Sequence, residues 1–264
     1  MTILQSKLNS KNKSSKPFCQ LNHREHAERA EETCPLPPNS APTAEANKRI
    51  SERHMQVTGI LKQALYRNRL LITAIAVAFF GVMMITIVVT YLVLISSSGL
   101  VDTLQSWVQS SASYMAIPPP YTNGLYRFIF LNNIGHFWNP IRLWVWIPFV
   151  GAFELGYELL LNAILIGVVA SFVGVTKGPL YTFAGLAPHG VIELPAFILE
   201  FTGLARWHVS TTRALYTKLS GRSVDQPLLR QGIKDTIALS LLSVALFAVA
   251  AYIETFITPR FLGR

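Results

Sequence analysis

Charge is scarce in this chain, and the scarcity is concentrated. Of 264 residues 14% are charged and 51% hydrophobic, and Leu70 to Ile95 carries no charged side chain over 26 positions. At ~1.5 Å rise per residue such a run exceeds the ~30 Å hydrocarbon core of a bilayer. A soluble globular class is therefore excluded, and an all-α, polytopic helical membrane protein is expected. Cysteine is nearly absent: Cys19 and Cys34 both lie in the amino-terminal tail. In a cytoplasmic tail they stay reduced, which excludes a structural disulfide. A phosphate-cradling glycine loop is also lacking, as is a Ser or Cys nucleophile with an obvious base.

About five transmembrane spans are legible. The first is 70–95, and the last, 237–257, is broken only by Glu254 near its end, where a carboxylate reaches the interface. Leu125 to Val175 is too long for one crossing and reads as a helical hairpin. Its arms are 126–149 and 159–175, with a turn at 151–157 that leaves Glu154 and Glu158 close to water. Asn139-Pro140 lies inside the first arm, where proline removes an intrahelical hydrogen bond and predicts a kink or a broken helix. The remaining span is 186–205. There Pro188 suits a first turn and Pro195 predicts a short, broken or re-entrant entry.

The distribution of Lys and Arg orients the bundle. Twelve of the 23 basic residues precede Leu70, none falls in the 96–124 loop, and six fall in 206–236. The amino terminus is expected in the cytoplasm and the carboxyl terminus outside, with 96–124 external and 206–236 cytoplasmic. The net charge of +9 then reflects topology and anionic headgroups, not nucleic acid. Residues 1–46 have the polar composition of a disordered tail and lack the apolar core of a signal peptide. Residues 47–69 read as a basic amphipathic helix lying on the inner leaflet, or as a solvated helical linker. In the tail, Cys19, His23, His26 and Cys34 form a weak zinc candidate whose spacing is unlike that of structural zinc sites.

Within the spans, polar side chains are few and need partners. Asn132 and Asn133 are adjacent carboxamides, Asn162 follows in the next span, and Ala163, Gly167 and Ser171 make a small-residue stripe for close helix packing. His189, Glu193 and Glu200 share one helical face that should point into the bundle. Matching depths predicts that Arg142 pairs with Glu200 and that the Asn pair bonds to the His189–Glu193 region. Ionisable groups at such depth mark functional positions by default. His189 and Glu193, four residues apart, suit one metal ion, but a third ligand is missing, His136 and Glu158 being unconvincing. No cofactor or metal is assigned.

Three segments carry a family likeness: Phe130-Leu131-Asn132-Asn133-Ile134, Leu161-Asn162-Ala163-Ile164-Leu165-Ile166-Gly167, and Pro188-His189-Gly190-Val191-Ile192-Glu193-Leu194-Pro195-Ala196. Over about Leu125 to Leu219 the chain resembles the stage II sporulation protein M family of integral membrane proteins. It departs from the family's usual Asn-Gly at Asn162-Ala163, and the Gly135 to Pro140 insert is unusual. The resemblance implies a membrane anchor or scaffold for envelope enzymes, with no chemistry to transfer. Three function classes follow: a non-enzymatic scaffold or accessory subunit of an envelope-associated complex, a small permease or channel-like subunit, and an intramembrane metal-dependent hydrolase. In the first, Gly190 and Pro195 belong with His189 and Glu193 to a polar lock. The expected partners are the lipid bilayer and other membrane or extracytoplasmic envelope proteins, with homo-oligomerisation open.

Overall fold

The computed structural model describes residues 44–97, 99–106 and 117–261. The zinc candidate Cys19, His23, His26 and Cys34 lies outside them. Residues 48–264 cluster as one compact unit. Its helices are α1 (Ala44–Arg67), α2 (Arg69–Ser96), α3 (Asn123–Asn133), α4 (Val150–Lys177), α5 (Pro179–Leu219), α6 (Gln226–Phe256) and the short α7 (Thr258–Phe261). Two 3₁₀ turns, Gly135–Phe137 and Arg142–Trp146, lie between α3 and α4. Among the described residues four helices, α2, α4, α5 and α6, are long and apolar enough to cross a membrane.

The expected span at 126–149 is not one helix. It starts from Thr122, whose hydroxyl accepts the amide of Leu125 at 3.2 Å, and it stops at Asn133, before Pro140. The rest is 3₁₀ helix, turns and a bend, yet it travels the bundle's length. The Tyr121 amide donates to the Thr255 carbonyl, and at the far end the Trp207 indole donates to the Trp146 carbonyl at 2.9 Å. Trp207 lies about 27 Å along α5 from His189 at helical rise. A broken backbone at such depth must have its carbonyls satisfied. Indoles do much of this: Trp138 donates to Leu131 O at 2.7 Å and Trp146 to His136 O at 2.8 Å, while Arg142 donates to Asn132 O at 3.1 Å.

Three boundaries differ from expectation. The turn is not at 151–157: Pro148 and Phe149, whose φ is +67°, make it, and α4 starts at Val150, so Glu154 and Glu158 are helical. The next helix starts at Pro179, after Gly178 at φ +91°, so Pro188 is interior and not in the first turn. Both Pro188 and Pro195 lie within an unbroken α5, as proline in membrane helices can. The 206–236 loop is mostly helix, with α5 and α6 leaving only 220–225 between them and Asp225 capping α6 through the Leu228 amide at 3.1 Å.

Small residues set the packing. Ala163, Gly167 and Ser171 are buried on α4. A Cβ on Gly167 would lie 2.8 Å from Thr86 Cβ and 2.9 Å from Met83 O, and Ser171 Oγ donates toward Ile87 O at 2.9 Å. Position rises together along both helices, so α2 and α4 run parallel and the broken segment is the return between them. α5 and α6 form an antiparallel hairpin in which Thr236 Oγ1 donates to Gly203 O at 3.1 Å. Large apolar side chains such as Leu70, Val77, Leu180 and Val191 face outward, as a lipid-facing belt requires.

Candidate functional site

His136, on the first 3₁₀ turn, is 3% exposed and lies between two carboxylates. Its Nδ1 is 3.0 Å from Glu200 Oε1 on α5, and its Nε2 is in close contact with Glu158 Oε2 on α4. Each N···O line needs a proton, so the group is an imidazolium between two carboxylates, or a neutral imidazole with one carboxyl protonated. Arg142 approaches Glu158 from the far side, Nε to Oε1 at 3.9 Å. Its side chain lies over Gly135, where a Cβ would be 2.8 Å from Nη1. Below the ring, Phe201 stands edge-on, at the top of the apolar cluster of Val145, Leu155 and Leu204.

A second group occupies the other end of the same face. Asn133 Nδ2 donates to Glu193 Oε1 at 2.9 Å, tying the end of α3 to α5. His189 Nε2 is 3.8 Å from Glu193 Oε2, and its Nδ1 is 3.3 Å from Thr258 Oγ1. Glu254 of α6 joins them: His189, Glu193 and Glu254 each offer a ligand atom, all within 4.8 Å of one another.

The two groups share a cavity of about 380 Å³. Asn132, Asn133, Arg142, Asn162, His189, Gly190, Glu193 and Glu200 all line it, together with His136. Of the polar residues singled out in the sequence, Pro195 is not in its wall. A further cavity of about 520 Å³, where the end of α4, the start of α5 and the end of α6 meet, shares His189 and includes Glu254 and Thr258. At the opposite end of the bundle Asp235 is 1% exposed and receives Arg67 Nη2 at 2.6 Å, Arg67 Nε at 3.2 Å, Asn68 Nδ2 at 3.2 Å and Gln231 Nε2 at 2.9 Å. That bond to Asp235 pushes the pKa of the Arg67 guanidinium up from its ordinary value.

The expected pairing of Arg142 with Glu200 does not form. Glu200 takes His136 instead and Arg142 turns to Glu158, because α4 starts early enough to carry Glu158 into the interior. Asn162 bonds within its own helix, Nδ2 to Glu158 O at 2.8 Å, and not across helices. Three participants lay outside the sequence reading of the site: His136 as a bridge, Glu158 as its partner, and Glu254 as the neighbour of His189 and Glu193. Pro148 was the available signal for Glu158, since proline just before a helix marks its start.

A helical bundle with four membrane-spanning candidates among the described residues and a polar interior defines a polytopic membrane protein. The chain belongs to the stage II sporulation protein M family, whose model matches residues 70–259. It is also similar to an uncharacterised protein of Methanocaldococcus jannaschii, 29% identical over 121 residues, a match that covers 44% of this chain and 65% of that protein. No solved structure matches.

Proposed function

We propose that the chain is a non-enzymatic membrane scaffold or accessory subunit of an envelope-associated complex, with its interior polar groups acting as a lock. One observation carries this reading: interior ionisable side chains bond across elements at two places. His136 of the broken crossing bridges Glu158 and Glu200, and Asn133 holds Glu193. Such cross-element bonds fix an irregular segment that packing alone leaves loose, at about 0.6 to 1.7 kcal/mol for each neutral bond.

The test is reconstitution. Purified protein in liposomes is assayed for ion and solute flux, and cross-linked native membranes are probed for an extracytoplasmic enzyme held in stoichiometric amount by this chain. The scaffold reading expects flux no higher than empty liposomes and a defined enzyme partner. Flux above background that Glu193→Gln abolishes in a folded protein contradicts it. The second reading, a small permease-like subunit, rests on the shared cavity and would then take its place.

A further inference from the structure

Glu193 and Glu254 lie on neighbouring helices, and among the described residues neither forms an ion pair with Arg or Lys. With His189 they bring three ligand atoms within 4.8 Å of one another. Two carboxylates this close repel unless a proton or a cation lies between them. The spacing favours a cation. His189 Nδ1 lies 3.3 Å from the Thr258 hydroxyl, and Nε2 lies 3.8 Å from Glu193 Oε2, too far to share a proton and wide enough for an ion to bridge.

The backs of these ligands are held. Glu193 Oε1 accepts from Asn133 Nδ2 at 2.9 Å, and His189 is held by Thr258. Neutral outer partners that orient an imidazole and a carboxylate toward one point are the usual support of a metal ligand set. The point is also reachable. His189 lines both cavities, Glu193 lines the first and Glu254 the second.

We infer that His189, Glu193 and Glu254 form a binding site for one divalent transition-metal ion of the zinc class, with water from the cavities completing its shell. One imidazole and two carboxylates suit zinc and its neighbours and do not suit a soft ion such as Cu(I). Bonds of about 2.0–2.2 Å at tetrahedral angles need donors about 3.3–3.5 Å apart, so the 3.8 Å between His189 Nε2 and Glu193 Oε2 closes by a few tenths of an ångström, and the wider separations, within 4.8 Å, by up to about 1.5 Å through side-chain rotation. Occupied, the ion ties α5 to α6. This site stands beside the scaffold reading and does not depend on it.

The experiment uses the full chain in detergent, stripped with chelator and titrated with zinc alone, with bound metal counted after gel filtration. One equivalent is expected in the wild type. Glu254→Gln and His189→Gln should each weaken binding by about 100-fold or more, and Thr258→Val, which keeps all three donors, by about 10-fold. Wild type that holds no more than about a tenth of an equivalent overturns the site, whatever the variants do. So does a folded Glu254→Gln with unchanged affinity, or zinc lost from a Cys19→Ser, Cys34→Ser variant, which would put the metal in the tail.

Discussion

The two ends of the bundle treat charge differently. At the Asp235 end a single carboxylate receives donors from Arg67, Asn68 and Gln231, and an apolar cluster of Val145, Leu155, Phe201 and Leu204 closes the interior above it. At the His189 end Glu193 and Glu254 meet beside one imidazole, with cavities on either side. His136 lies between these regimes, its two nitrogens spent on two carboxylates. Where a buried carboxylate has its cation, as Asp235 has Arg67, the residues explain the fold. Where carboxylates remain without a cationic partner, they point to a ligand.

The largest effect is expected at the bridge. His136→Leu leaves Glu158 and Glu200 facing each other without the imidazole between them and should destabilise the protein by about 3–5 kcal/mol, read as a fall in the unfolding midpoint in detergent. A loss under about 1 kcal/mol would mean that the bridge is not what holds the broken crossing. Next is Gly167→Leu, which forces α2 from α4 because even a Cβ would sit 2.8 Å from Thr86 Cβ. It should cost about 1–3 kcal/mol and loosen the α2–α4 contact in cysteine cross-linking. Asp235→Asn comes third, at about 1 kcal/mol, because the Arg67 side chain is 35% exposed and can return to water. Denaturant unfolding at two salt concentrations checks it. Val191→Ala is the control: at 72% exposed, on the same helix as His189 and Glu193 but turned outward, it should change stability by less than about 0.5 kcal/mol.

Much of this was legible in the sequence. Long apolar runs announce α2 and α6, and the three family segments supply the family. The polar stripe of His189, Glu193 and Glu200 does face the cavity, because helical periodicity fixes which residues share a face within one element. Partners across elements were harder to read. Arg142 was matched to Glu200 by depth, which assumes straight helices, and the segment carrying Arg142 is not straight. Glu158 read as a turn residue until α4 proved to begin at Val150, and Glu254 as an interfacial carboxylate until α6 brought it beside His189. His136 gave no periodic signal, since a single residue on a 3₁₀ turn belongs to no stripe.

The central claim, that one histidine locks the broken crossing to its neighbouring helices, is tested most directly by a double-mutant cycle on His136→Leu and Glu200→Leu. Unfolding free energies of the wild type, both single variants and the double variant are compared. We predict a coupling of about 2 kcal/mol, with the double variant more stable than the sum of its parts because the fully buried Glu200 is removed together with its partner, while Glu158 keeps Arg142 at 3.9 Å. Losses that add to within about 0.5 kcal/mol would contradict the lock.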